Sequence, residues 1–378
     1  MSQKQIKILQ VLSSLRKNGT ETFVMNVLRN LRRDDIKFDF LIIDGKAEGY
    51  YEELIKEQSK VFFVTPRKKN VLLYHKDLKN FFKLHSEDYH GIHFHCTSLT
   101  TIAPLRYAFN SKIPIRIVHM HGSGCIGLHN TLFHHLNKRV VSRFITHTIS
   151  CSAEASKWGF GGTKLFSRTS LISNGIVINK FTFDARARNR VRKELDMKEE
   201  EKLMIHVGML HPVKNHKFLF KIFRDAERIV PGLKLLCVGD GPLRNRLSEY
   251  AASLGISGKI IFAGHREDVA SLLSAGDIFV FPSLHEGFGI AVLEALCSGL
   301  PVVASSTLPD ELKRLDKLYS LDLSQPSEIW AKKISTILKN NNSREIPEEL
   351  NRFSINDTVA SLIKIYTTPQ KVKLDLSK

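Results

Sequence analysis

The chain has 378 residues, 43% hydrophobic and 25% charged, which is the make-up of an ordinary soluble globular protein and enough length for two domains. Its start, MSQKQIKILQVL, holds neither a long apolar run nor a small-residue cleavage site, and no stretch approaches the roughly 18 apolar residues of a membrane span, so a cytoplasmic protein is expected. Cys96, Cys125, Cys151, Cys237 and Cys297 are scattered and form no CxxC pair, which argues against a disulfide framework or a zinc site. The net charge of +18 is uneven, with 26 Lys and Arg against 13 Asp and Glu in residues 1–176 and 30 against 25 in residues 177–378. The first part therefore faces something anionic, either nucleic acid or an anionic membrane surface.

Short β-branched runs alternate with helical spacing throughout, the mark of an α/β fold with parallel sheets. Ile6 to Leu12 reads as a buried strand, followed by a loop through Asn18 and Gly19 and a helix carrying Phe23, Val24, Val27, Leu28 and Leu31. Strands follow at Phe38 to Ile43 and Val61 to Val64, with a helix around Tyr50 to Glu57 between them. Ile92 to His95, Ile115 to His119 and Thr146 to Cys151 are further strands, the first two ending in histidines. After Asn174-Gly175 a second series begins. Its strands are Leu203 to Val207, Leu233 to Val238, Ile260 to Phe262, Ile278 to Phe281 and Val302 to Ala304. Its helices are Lys217 to Ile229, Leu243 to Leu254, Val269 to Ala275 and Ala291 to Ser298. This predicts two Rossmann-like domains in tandem, one of residues 1–176 joined by a C-terminal helix at about 354–378, the other of residues 177–353. The tail from Thr368 to Lys378 is polar and is expected to be loose.

Ligands of an open parallel sheet bind beyond the carboxyl ends of its strands. The densest polar cluster there runs from Pro282 through His285 and Glu286 to Gly287-Phe288-Gly289 and on to Ile290 and Glu294. A glycine-bearing turn entering a helix offers free N–H groups and the positive end of the helix dipole, which suits phosphate oxygens. Glu286 and Glu294 stand roughly 10 Å apart along such a helix. Carboxylates repel phosphate, so they suit the hydroxyl donors that flank it, on a sugar and on a ribose.

This Glu-x7-Glu block resembles the signature of the large retaining glycosyltransferase family 4, whose GT-B fold has two facing Rossmann-like domains. Five more blocks carry the resemblance in the same order along the chain. They are Ile172-Ser-Asn-Gly175-Ile with Lys180-Phe181, His206-Val-Gly208-Met-Leu-His-Pro-Val-Lys214-Asn, Val238-Gly-Asp-Gly-Pro242-Leu, Phe262-Ala-Gly264-His265-Arg266 and Ser298-Gly-Leu-Pro301-Val-Val-Ala-Ser. Within the family the chain is most similar to enzymes that build bacterial capsular or exopolysaccharide repeat units. The resemblance implies that Glu286 touches the donor sugar and Glu294 the ribose. The N–H groups of Phe288, Gly289 and Ile290, beside Gly287, would hold phosphate and sugar. Lys214, on the loop with Gly208 and Met209, would neutralise the departing diphosphate, and His265 and Arg266 would border the base. Gly19 would let the backbone approach the diphosphate, and His121 would sit near sugar and acceptor. It also implies a UDP- or GDP-sugar as co-substrate, no tightly bound cofactor, a lipid-linked saccharide acceptor, retention of anomeric configuration, and closure of the donor domain onto the first.

One departure is Met209, where the family usually has an arginine, since a thioether cannot neutralise phosphate; either Lys214 with a neighbour such as Arg266 or His211 compensates, or donor binding is weak. No Asp-x-Asp occurs in the chain, so no essential divalent metal is expected. Nor does a metal site at His93, His95, His119 and His121 have a carboxylate to accompany it. Gly239-x-Gly241 lacks the third glycine of a dinucleotide fingerprint, and no nucleic-acid recognition motif accompanies the basic charge. Two alternatives stay open: a nucleotide-sugar epimerase of the same fold, and a weakly active partner subunit of another glycosyltransferase. The basic first domain points to the inner face of a membrane. In Arg67 to His85, Val71, Tyr74, Leu78, Phe81 and Phe82 share a helical face flanked by Lys76, Lys79 and Lys83, the pattern of an interfacial helix or, equally, of one packed on its own sheet.

Overall fold

The computed structural model describes residues 5–16, 18–125, 127–340 and 343–368. It divides into two units, Met1–Gly175 with Ile355–Lys378, and Ile176–Ser354. The first unit holds strands β1 (Ile6–Leu12), β2 (Ile36–Ile42), β3 (Val61–Phe63), β4 (Gly91–Cys96), β5 (Ile115–Met120), β6 (His147–Ser150) and β7 (Ser170–Leu171), in the spatial order β3-β2-β1-β4-β5-β6-β7. The second holds β8 (Lys202–Val207), β9 (Leu233–Val238), β10 (Ile260–Gly264), β11 (Ile278–Phe281), β12 (Val302–Ser305) and β13 (Leu318–Leu321), in the order β10-β9-β8-β11-β12-β13. All of these pairings are parallel.

A parallel sheet covered on both faces needs strands that are apolar on both sides, and β1 and β11 show it: Ile8, Leu9, Val11, Phe279 and Phe281 are all fully buried. In each sheet the strand order reverses once, between β1 and β4 and between β8 and β11. Such switch points leave a crevice at the strand ends, where a ligand can reach the backbone. The loops after β1, β4 and β5 in one unit, and after β8 and β11 in the other, therefore hold the candidate groups.

The helices are amphipathic and spend their apolar faces on the sheets. In His216–Glu227, Leu219, Phe220, Ile222 and Phe223 are buried in one core with Trp330 and Ile334 of Ser327–Asn340. The helix Val71–His85 is capped by Asn70, whose side-chain oxygen accepts from the Leu73 N–H at 3.0 Å. Its Tyr74, Leu78, Phe81 and Phe82 are buried in the first unit, whereas Val71 is open to solvent. Four of the five apolar residues of that face thus pack in the unit's own core, which is the second of the two readings the sequence leaves open. Lys76, Lys79 and Lys83 stay exposed.

The chain returns to the first unit through the helix Ile355–Thr367, within the span expected from sequence; residues 369–378 lie outside the described residues. Thr358 donates to the Ser173 carbonyl at 3.0 Å, and Tyr366 reaches His93 in the middle of β4. No helix among the described residues is long and apolar enough to cross a membrane.

Candidate functional site

In the second unit, β8 ends at Val207 and the chain turns through Gly208 into a short 3₁₀ turn, Pro212–Lys214. The Gly208 N–H donates to the Val238 carbonyl at 2.9 Å and the Leu210 N–H to the Asp240 carbonyl at 3.0 Å, so this loop rests on the one after β9. A Cβ on Gly208 would stand 3.3 Å from Cδ and Cε of Lys214. Glycine thus lets the lysine stem lie against the backbone.

Lys214 is aimed at the loop after β11. Its Nζ lies 2.6 Å from Oε1 of Glu286 and 4.7 Å from the centre of the Phe281 ring. Ser283 donates to the same carboxylate oxygen at 2.5 Å, and the Leu284 N–H donates to the Val213 carbonyl at 2.8 Å. Two residues 72 positions apart are thus joined at the ends of adjacent strands. The pair is largely shielded from solvent, where an ion pair is sensitive to loss of either partner.

Beyond Glu286 the chain enters the helix Ile290–Cys297 through Gly289, whose φ of +88° is left-handed. A side chain there would be strained, and its Cβ would stand 2.9 Å from Leu308. Gly287 precedes Phe288, whose ring is buried against Phe353 with centroids 5.7 Å apart, so Phe288 offers a ligand its backbone only. Ile290 opens the helix. Glu294 lies one turn further on, and burial pushes its carboxyl up to about 7, partly offset by the charge of Lys180. Near neutral pH it is shared between acid and carboxylate, so it can donate as well as accept.

The remaining candidates of this unit are spread more widely. Met209 is 42% exposed at the tip of the β8 loop. His265 is exposed just after β10. Arg266 turns to acidic neighbours, pairing with Glu194 and Asp268 at 2.7 Å each, and these hold its guanidinium firmly charged. Its charge is already matched, so it is poorly placed to replace the arginine missing at Met209.

In the first unit, Gly19 is the exposed first residue of the helix Gly19–Asn30, and a Cβ there would meet nothing within 4 Å. Glu21, in the first turn, is buried, accepts from Ser14 at 2.8 Å, and has its pKa raised by burial. His121 follows β5 directly, its N–H donating to the Cys96 carbonyl at 2.8 Å. Its ring joins an array that sequence reading left as four separate strand-end histidines. His95 Nδ1 lies 2.9 Å from His121 Nε2, His93 Nε2 lies 3.2 Å from His119 Nδ1, and all four rings are buried. Gln10 of β1 and Tyr366 close the array at the other end, with 2.8 Å between Gln10 Oε1 and His95 Nε2 and 2.7 Å between Tyr366 Oη and His93 Nδ1. Burial drives all four imidazoles well below their usual 6.5, His121 to about 3. His93, His95 and His119 could present three nitrogens to a metal ion. An ion would have to displace the inter-ring hydrogen bonds, and the array brings no carboxylate to it.

Two family models match this chain: Glycosyltransferase Family 4 over residues 17–180 and Glycosyl transferases group 1 over residues 187–353. Among curated proteins it is 28% identical to EpsF of Bacillus subtilis (strain 168), a glycosyltransferase by assignment, over 89% of this chain and 88% of that one. It is 32% identical over 142 residues, 37% of each chain, to the UDP-Gal:alpha-D-GlcNAc-diphosphoundecaprenol alpha-1,3-galactosyltransferase of Escherichia coli. Among solved structures, Anabaena Alr3699/HepE in complex with UDP and glucose superposes with a TM-score of 0.78 at 20% identity, over 95% of this chain and 99% of that one. The match to HepE speaks for the fold, and the two family models, placed in order along nearly the whole chain, speak for the chemistry. This chain is a glycosyltransferase of family 4, built on the GT-B architecture with one parallel α/β sheet in each of its two units.

Proposed function

We propose that the protein transfers a sugar from a UDP- or GDP-sugar, with retention of anomeric configuration, to a lipid-linked saccharide acceptor of a bacterial surface glycan such as a capsule or exopolysaccharide. The observation that carries this reading is the Lys214–Glu286 pair, held at 2.6 Å over adjacent strand ends beside the Gly289 helix start. Departure of a nucleoside diphosphate builds negative charge on phosphate and positive charge on the sugar carbon. A lysine and the N–H groups of Phe288, Gly289 and Ile290 stabilise the first, and Glu286 orients the sugar hydroxyls. Glu294 takes the ribose. The second unit is thus the donor-binding domain. The first, through Gly19 and His121, serves the sugar and the acceptor. UDP in the HepE structure and the diphosphoundecaprenol in the name of the Escherichia coli relative support the choice of donor and acceptor class.

Attack by the acceptor on the face from which the diphosphate leaves lets a phosphate oxygen take the acceptor proton, so no protein nucleophile and no metal are required. Charge supports a peripheral place on the inner face of an anionic membrane. The attachment is electrostatic, through Lys76, Lys79, Lys83 and the basic surface around them, rather than through the buried face of their helix. The open side chain of Met209 favours one second reading, a subunit of low intrinsic activity that works beside an active homologue. A thermal-stabilisation screen of UDP-, GDP- and other nucleotide-sugars, followed by assignment of the product anomer, tests the main reading. Failure of every nucleotide-sugar to raise the melting temperature would sink it.

A further inference from the structure

The helix Leu128–Val140 docks by its polar side and turns its leucines outward. The Leu99 N–H donates to His134 Nδ1 at 3.0 Å, which leaves the His134 proton on Nε2, 3.2 Å from the Trp158 carbonyl. Asn137 donates to the Leu99 carbonyl at 2.7 Å and Lys138 to the Trp158 carbonyl at 2.8 Å. The His134 ring lies flat on Trp158 with centroids 3.9 Å apart, and His134 is the one buried residue of this helix. On the other side Leu128 is 91% exposed, Leu132 58% and Leu136 47%. Spaced four apart, they form one stripe along the helix. Arg67 lies over the Phe133 ring at 5.3 Å and donates to the Thr100 carbonyl, as Asn137 also does, so the approach to the helix Val71–His85 is joined to this one. That second helix opens with Val71, Leu72 and Leu73, all exposed. Apolar side chains held out from an anchored helix mark a surface that meets a partner.

We infer that the leucine stripe of Leu128–Val140 inserts at the acyl boundary of an anionic bilayer, with the exposed start of Val71–His85 beside it. Charge selects this occupant. Residues 89–153 hold six Lys and Arg and no Asp or Glu, and residues 58–76 hold five Lys and Arg and no Asp or Glu. Lys68, Lys69, Lys76, Arg139 and Arg143 are exposed. A second copy pairing by two-fold symmetry would set these cations against one another. An anionic bilayer offers headgroups to the cations and acyl chains to the leucines at once. This rests on the membrane placement proposed above, and adds to its electrostatic attraction an apolar contact that salt does not screen. The contact comes from a helix other than the one whose stripe the core takes.

Vesicle flotation tests it, with phosphatidylcholine alone and mixed with phosphatidylglycerol, at low and at high salt. The wild type should bind the mixed vesicles and keep part of that binding at high salt. Changing Leu128, Leu132 and Leu136 together to Ser should weaken binding at least about tenfold, less than the transfer of three leucines would supply, and salt should abolish what remains. These side chains are exposed, so the fold should survive. If the triple variant does not fold, the sign of one change, Leu132→Lys, decides. Added positive charge strengthens a purely electrostatic attachment, whereas a lysine in the middle of an inserted stripe weakens it several-fold. Unchanged or tighter binding by Leu132→Lys, or a triple variant that binds as the wild type does, overturns the inference and leaves the electrostatic reading standing. A wild type that ignores anionic vesicles overturns both. A wild-type dimer in light scattering that Leu132→Lys splits overturns the inference in favour of a second copy.

Discussion

Both sheets gather polar side chains at the carboxyl ends of their central strands, but with opposite electrostatics. In the second unit the groups sit on loops, and Lys214 and Glu286 pair as ions beside a carboxyl held near neutrality. In the first unit the groups sit within β1, β4 and β5 themselves, and burial strips the histidines of charge. Depth decides the difference. A loop keeps enough solvent and enough partners for a charge, whereas a strand interior tolerates a titratable group only when it is neutral and hydrogen-bonded. The charged end suits a diphosphate, and the neutral end suits hydroxyls.

Acid should separate the two units most strongly. Above pH 6.5 the four imidazoles are neutral whether folded or unfolded and leave stability unchanged. As pH falls below 6.5 the unfolded chain takes up protons that the folded unit refuses, so stability falls, and it continues to fall until the folded groups titrate, for His121 at about 3. One pH unit below 6.5, each imidazole costs about 1.4 kcal/mol and the four together about 5–6 kcal/mol. The second unit has two such rings, His206 and His216, and Glu294 works the other way, because a raised pKa favours folding as pH drops through about 7. Hydrogen exchange at pH 7.5 and 5.5 should show the first unit losing protection first. Equal losses in both units would break the contrast.

The charged end should answer most sharply to Lys214→Ala. If this lysine stabilises the departing diphosphate, its removal lowers kcat by about 10²–10³, the range for loss of one preorganised transition-state group. Steady-state kinetics with the best donor from the screen measures it. A loss below threefold would mean that the pair with Glu286 is only structural.

Glu294→Gln sharpens the picture of a carboxyl poised between two states. If Glu294 holds the ribose, the substitution should weaken donor binding by about 1.5–3 kcal/mol where the group is ionised. Since the group titrates at about 7, the penalty should be larger at pH 8 than at pH 6, where glutamine resembles the protonated acid. Calorimetry at the two pH values tests this; a penalty independent of pH would place the titration elsewhere.

How much of this was legible in the chain itself also differs between the two ends. The second unit's site is written in two short segments, Gly208–Asn215 and Ser283–Glu294, so spacing alone placed Glu286 before a helix and Lys214 on a loop. Sequence did not reveal that the two would pair, because 72 residues separate them. The strands Ile278 to Phe281 and Leu233 to Val238 were readable as continuous apolar runs, and the structure has them with those bounds. The histidine array was half visible. His-x-His on a strand announces a shared face, but Gln10 and Tyr366 come from the first strand and the last helix and have no local signature. The buried face of Val71–His85 was ambiguous for a physical reason: an amphipathic stripe looks the same whether a sheet or a membrane covers it.

The smallest effect concerns the missing arginine. Met209 stands open at the tip of the β8 loop, and Arg266 is already matched by Glu194 and Asp268. Lys214, the cation that bridges the β8 and β11 loops, is shared with Glu286. A guanidinium at position 209 would reach a bound diphosphate from a largely solvated position, so its gain is that of a partly screened charge-assisted contact, about 1 kcal/mol or some fivefold in affinity. Met209→Arg should therefore tighten UDP binding about fivefold at low salt and steepen its dependence on ionic strength, since screening acts most on exposed pairs. The fold should change little, because Met209 is 42% exposed. Isothermal titration with UDP at two salt concentrations decides. If neither affinity nor salt dependence changes, Lys214 already meets the whole electrostatic need of the phosphates, and the contrast between a charged end and a neutral end is complete without the arginine.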